Sequence, residues 1–411
     1  MRRTAAQAIL LLLTGLTLAA CQRQPAAPAA QPAAASELAA IGKLAFFDRS
    51  LSASGQQSCA SCHSPAHAYG PPNHFAVQPG GADMQEHGKR AVPSLRYLRS
   101  VPVWTHTYAS SLKDRLEVSD NMPSGGYAWD GRFNRPAEQA AAPLLGADEM
   151  ANGSAAAVTE KLSRSAYAQR FRAAFGADIF QRPDDALRAL GQALERFQFD
   201  DASFRPFDSK FDLVLDGKAQ FNPQEARGMA LFVDPKGGNC ASCHLVEQGA
   251  AGAHPTLTDY NFQTLGVPRN PEIPANANPA YYDLGLCGPA RTDKADNPWY
   301  CGMFRTPTLR NVATRQVFFH NGRFHSLEEA LRFYVQRDTA PEKWYPQVSG
   351  KPHFDDLPEQ YQGNVDRRTA PMSNHRGGKP VWSETDIADV VAFLATLNDR
   401  DAQPVRTLTH R

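Results

Sequence analysis

The chain has 411 residues, long enough for two or three domains with cores of their own. Its 43 lysines and arginines nearly cancel its 42 aspartates and glutamates. That balance supplies no field to draw in nucleic acid or an anionic membrane surface, so neither is expected as a partner on charge grounds.

Arg2-Arg3 precede an apolar run from Ala8 to Ala20 that is too short for a membrane span and is flanked as a secretory signal is. Residues 1–20 therefore read as an export signal. The run ends Leu18-Ala19-Ala20-Cys21, similar to a bacterial lipobox; cleavage before Cys21 would leave that thiol to carry lipid. The alternative is an ordinary signal with an incidental cysteine. Residues 21–36 are rich in Ala, Pro and Gln, cannot bury a core, and read as a tether. The expected location is the periplasm, with membrane contact only through the lipid.

Leu38, Ile41, Leu44, Ala45 and Phe46 recur at helical spacing after a Ser36 cap, and the helix is expected to end at Phe47-Asp48. Asp184 to Phe197 predicts an amphipathic helix through Leu187, Leu190, Leu194 and Phe197. Asn222-Pro223-Gln224-Glu225 is a cap, an N1 proline and an acid at N3, and opens a helix running to Val233-Asp234. Ser383-Glu384-Thr385-Asp386 caps another, with Ile387, Val390, Val391, Leu394 and Leu397 on one face. No long alternating strand pattern occurs, and Pro71 to Gly126 and Asp259 to Met303 are dense in Pro, Gly and Asn.

The first and third of these helices lead into the same pentapeptide, Cys59-Ala60-Ser61-Cys62-His63 and Cys240-Ala241-Ser242-Cys243-His244. Two thiols three positions apart can add across the two vinyl groups of a porphyrin, and the adjacent histidine then falls under the iron. A bare C-x-x-C could be a zinc knuckle or a redox dithiol; here both copies carry the histidine, and no further cysteine pair completes a four-ligand zinc set. Helix, acidic turn and attachment motif recur in order, which is an internal duplication. The expected fold is mostly α: two cytochrome c-like haem domains with long loops, 37–205 and 206–411, each round a covalently bound haem c. Of seven cysteines, Cys287 and Cys301 remain. In an oxidising compartment they are expected to form a disulfide, the alternative being two free thiols.

The stretch Ile41 to Asp48 before the first motif, then Trp129-Asp130-Gly131-Arg132, Thr306 to Val312 and His320-Asn321-Gly322-Arg323, resembles the bacterial dihaem cytochrome c peroxidases and their MauG relatives, over roughly residues 37–400. The resemblance implies a tryptophan between the haems and a glutamine, a proline and a glutamate round the open face of the N-terminal haem. They fall here on Trp129, Gln139, Pro143 and Glu149. A carboxylate there can shuttle the proton that peroxide heterolysis needs moved. The peroxidases have a methionine ligand on the second haem fourteen residues after the match to His320, whereas MauG has a tyrosine; here the residue is Tyr334. Phenolate lowers an iron's potential and thioether raises it. The alternative is that Tyr334 only packs its helix and Met303 or Met372 ligates.

The resemblance also places a distal histidine, in enzymes that need prior reduction, at what is here Pro79; His67, His74 and His87 are nearby. The N-terminal haem is thus expected to be open, with His63 its one protein ligand and His244 holding the other. Finally, the resemblance implies calcium between the haems, bound by an asparagine side chain and two backbone carbonyls. Ala91 stands at the asparagine position, with Arg315 and Val317 at the carbonyl positions, and the lost side-chain oxygen weighs against calcium.

The expected activity is reduction of hydrogen peroxide with electrons from a periplasmic cytochrome c or similar donor. One alternative is MauG-like oxidation of side chains on a partner protein, with Trp104, Trp299, Trp344 and Trp382 available as surface relays. Another is a dihaem electron-transfer cytochrome with no peroxide chemistry.

Overall fold

The computed structural model describes residues 35–106, 122–348, 351–352 and 354–404. The export signal, Cys21 and nearly all of the tether lie outside the described residues. The α-helices are α1 (Ala35–Phe47), α2 (Cys59–Cys62), α3 (Pro136–Gln139), α4 (Ala141–Leu145), α5 (Ala155–Ser163), α6 (Ala168–Phe175), α7 (Pro183–Asp200), α8 (Lys210–Leu215), α9 (Pro223–Val233), α10 (Leu327–Gln336) and α11 (Glu384–Ala395). The strands are two-residue pairs, β1 (Pro79–Gly80) with β2 (Glu86–His87), β3 (Phe262–Gln263) with β4 (Phe304–Arg305), and β5 (Gln347–Val348) with β6 (Lys351–Pro352). Counting the short 3₁₀ turns between the helices, about 40% of the structure is helical. The remainder is loop, concentrated where Pro, Gly and Asn are dense. Among the described residues no helix is long and apolar enough to cross a membrane.

Two hydrophobic clusters organise the chain. One gathers Ile41, Phe46, Leu144, Val158, Phe171, Leu190 and Phe197; the other gathers Phe211, Phe232, Phe333, Ile387, Val390 and Phe393. Burying each such phenylalanine contributes about 1.5–3 kcal/mol. Each cluster is built on one close helix pair. In the first, α1 lies against α7, so tightly that a Cβ on Gly42 would sit 1.9 Å from the Ala193 carbonyl oxygen. In the second, α9 lies against α11, and a Cβ on Gly228 would sit 1.9 Å from the Asp389 carbonyl oxygen. Gly42 and Gly228 stand four residues before Phe46 and Phe232, so the duplication extends to the residue that sets the helix approach.

The caps explain where these helices start. Glu225 N–H donates to the Asn222 side chain at 2.9 Å while Asn222 N–H donates to the Glu225 carboxylate at 2.8 Å. Ser383 and Asp386 exchange the same pair of bonds at the start of α11. The helix α1 begins at Ala35, one position ahead of the Ser36 expected to cap it, a difference within the fraying of helix ends.

Candidate functional site

The first attachment motif occupies α2, which Ser58 opens by donating its N–H to the Ser61 hydroxyl at 3.0 Å. His63 follows directly, its N–H bonded to the Cys59 carbonyl at 2.9 Å. Its Nδ1 lies 3.1 Å from the Tyr69 carbonyl oxygen, and burial pulls its pKa down to about 4. A neutral imidazole that donates from Nδ1 keeps the Nε2 lone pair free for a metal. Burial pushes the Cys59 and Cys62 thiols up to about 12 and about 11.

The second motif repeats this frame on a short 3₁₀ turn, Cys240–Ser242. His244 N–H bonds to the Cys240 carbonyl at 2.9 Å, its Nδ1 lies 3.0 Å from the Leu257 carbonyl oxygen, and burial again lowers its pKa to about 4. Behind the two histidines stands a second repeat that the sequence reading had not paired, Pro93-Ser94-Leu95-Arg96 and Pro307-Thr308-Leu309-Arg310. The Pro93 carbonyl faces His63 and the Pro307 carbonyl faces His244. Arg96 and Arg310 are both fully buried, Arg96 on Asp399 at 2.8 Å and Arg310 bidentate on Asp212 at 2.8 and 2.9 Å. The recurring Pro-[Ser/Thr]-Leu-Arg signature was the signal available.

The surroundings of the two motifs differ. Beside the first stands Glu149, whose negative charge is felt at both Cys59 and Cys62. Its loop is held by Gly81 N–H donating to the Glu149 carbonyl at 2.8 Å, and a Cβ on Gly80 would lie 2.2 Å from the Asp148 carbonyl oxygen. Glu149 is exposed over part of its length, and its carboxyl end lies against the backbone turn, where a Cβ on Gly146 would be 2.7 Å from Oε2. Burial, then repulsion from Asp148, pushes its pKa up to about 7. Gln139 is half-buried at the end of α3; among the described residues no hydrogen bond joins it to Glu149. Pro79 sits on β1, its carbonyl taken by the Gln57 amide at 2.7 Å. His74 and His87 are exposed, and His67 bonds to Ser64 at 3.1 Å.

Next to the second motif lies a cavity of about 250 Å³ whose wall includes Cys240, Cys243, His244, Tyr334, Met372 and Trp382. Tyr334 projects from α10, with Phe319 beside it at 5.5 Å between ring centroids. Burial, and then the two motif thiols, hold its phenol above the usual range. Met372 turns its sulfur to Arg337, which donates to it at 3.2 Å, and Met303 packs in a small cluster with Cys287 and Cys301. Those two cysteines are joined as a disulfide.

Trp129 lines the same cavity, donating from Nε1 to the Ala91 carbonyl at 2.8 Å. His320, stacked on Phe304 at 3.5 Å between centroids, lines it too. Of the remaining tryptophans, Trp299 is 75% exposed and Trp382 is buried. Trp104 lies under two cations, Arg291 at 4.2 Å and Lys294 at 4.7 Å.

Comparison with known proteins agrees with this arrangement. The family model described as di-haem cytochrome c peroxidase matches residues 36–220. The methylamine utilization protein MauG of Paracoccus denitrificans is 33% identical over 93% of this chain and 94% of its own length. The cytochrome c551 peroxidase of Nitrosomonas europaea is 28% identical over 80% and 84%. Among solved structures, the diheme peroxidase BthA of Burkholderia thailandensis superposes with a TM-score of 0.81 at 37% identity, covering 92% of this chain and 88% of that one. The chain belongs to the dihaem cytochrome c peroxidase and MauG family.

The residues present fit the two c-type haems that this family implies. Each motif brings two neutral thiols and a histidine with a free Nε2. The second has a cavity, with a phenol and the buried, unpartnered Nε1 of Trp382 in its wall. That indole N–H, left without an acceptor among the described residues, suits a carboxylate such as a haem propionate.

Proposed function

We propose that this protein is an exported dihaem peroxidase that takes up hydrogen peroxide at the site of Cys59, Cys62 and His63. Cys240, Cys243, His244 and Tyr334 would hold the second haem. The observation that carries the reading is the placement of Glu149, a carboxyl near enough to the first motif for its charge to act on both Cys59 and Cys62, with its own pKa raised. A group poised near neutrality can both accept and return a proton, and an electron carrier with two closed haems has no use for it. Bound haem would supply the iron that binds peroxide and the electrons for O–O cleavage. Glu149 would take the proton from the near peroxide oxygen and hand it to the departing one, with Gln139 assisting from α3. Trp129, which lines the second cavity and bonds to the Ala91 carbonyl, would carry charge between the halves.

Tyr334 supports a second reading, in which the electrons come from side chains of a partner protein. The identity to MauG across nearly the whole chain points the same way. Trp299 is the most accessible of the four tryptophan relays, while the cations over Trp104 disfavour a hole there. In either reading the protein acts in the periplasm, tethered through Cys21. Mixing the fully oxidised protein with one equivalent of peroxide in a stopped-flow spectrometer tests the proposal. Rapid spectral change at both haems without a donor is the expected result, and its persistence would favour a protein substrate. No reaction until one haem is reduced would contradict the open first site and the role of Tyr334.

A further inference from the structure

Several buried or half-buried arginines lie where the two halves meet, and most are paired with carboxylates. Arg90 is clamped by Asp130 and Asp283, Arg96 by Asp399 and Asp401, and Arg310 by Asp212. Arg315 has no carboxylate within ion-pair distance among the described residues. Its Nη2 donates to the Val92 carbonyl at 2.8 Å and its Nε to the Val317 carbonyl at 3.3 Å. It lines the cavity beside His244, and its charge is also felt at His63. A Cβ on Gly70, just past Tyr69, would come within 3.1 Å of its Nη1. The guanidinium therefore stands between the two attachment sites and binds its own loop to the segment around Val92, which precedes the Pro93 carbonyl facing His63. Burial lowers its pKa only to about 10, so it stays charged at neutral pH.

Calcium, which the resemblance implies for this place, does not fit. Ala91 offers no side-chain oxygen, and its own carbonyl is taken by Trp129. The Val317 carbonyl, one of the two backbone donors the resemblance implies, already accepts from Arg315. Calcium requires six to eight oxygens at short range, and here a fixed cation occupies one of the few available. We propose that Arg315 is a built-in cation between the two haem sites, standing in for a metal ion, and that the protein works without calcium. A positive charge held there favours the reduced form of nearby iron, and its bond to the Val92 carbonyl ties the halves together.

The inference uses the haem placement proposed above but not the peroxide reaction, and its test is made on resting protein without peroxide. The purified dihaem protein is exposed to calcium, desalted and analysed for metal, and its midpoint potentials are titrated with calcium or with a chelator. R315K and R315Q are titrated alongside. We expect no retained calcium, potentials indifferent to calcium and chelator, wild-type values for R315K and a downward shift of at least one haem in R315Q. One calcium retained per chain, a chelator-dependent shift, or an R315Q with unchanged potentials would overturn the proposal. Should R315Q fail to load haem, the calcium content and chelator response of the wild type still decide it.

Discussion

The two halves are built on one frame and differ in the side chains that stand near each attachment motif. In both, a glycine lets two helices touch, a phenylalanine four residues on fills the core, and a carbonyl fixes Nδ1 of the histidine. In both, a Pro-[Ser/Thr]-Leu-Arg segment closes the back with a buried ion pair. Beside the first motif is a carboxyl on a turn, and beside the second a phenol on a helix. A duplicated scaffold can thus hold two similar cofactors while assigning them different work, because the frame and the reactive face are separate segments of chain.

The strongest way to break this comparison is to remove the carboxyl. Glu149→Gln keeps the shape and loses the proton carrier, so peroxide turnover should fall by about 100-fold or more, read in steady-state assays with a donor dye. The haem content should stay unchanged. Retention of full rate would mean the two faces are not distinguished by Glu149.

Next come the paired glycines. Gly42→Ala and Gly228→Ala each drive a methyl group into a facing carbonyl, and each should destabilise the holoprotein by about 1–3 kcal/mol in denaturant unfolding. A large cost at one position and none at the other would show that the helix pairs are not equivalent. A smaller effect concerns pH. If Glu149 must be ionised to accept the proton, the rate of the first spectral change should decline below pH about 7, by about tenfold per unit. The Glu149→Gln variant should lose that dependence, and a limb near the ordinary carboxylate range would contradict the raised pKa.

Much of this was legible in the sequence because the signals were local. The attachment motifs, the capping boxes at Asn222 and Ser383 and the periodicity of α7 are short-range patterns that the fold preserves. Glu149 and Tyr334 were reached through fixed offsets in a family pattern, and composition alone would not have singled them out. What escaped depends on distant contacts. Gly42 and Gly228 look like ordinary helix-weakening residues until their partner helices arrive from about 150 residues further along the chain. Arg315 looks like a surface charge in a loop, and only the folded interface shows it enclosed without a carboxylate. The second repeat was hidden because its distance from the histidine differs between the halves, 30 residues from His63 to Pro93 and 63 from His244 to Pro307.

The most direct test of the central claim, one open and one closed haem face, is low-temperature electron paramagnetic resonance of the fully oxidised protein, with Tyr334→Phe beside the wild type. The wild type should give one high-spin ferric signal from the haem on His63 and one low-spin signal from the haem on His244. In Tyr334→Phe the low-spin signal should give way to a second high-spin one. Two low-spin signals in the wild type, or a Tyr334→Phe spectrum identical to it, would contradict the account.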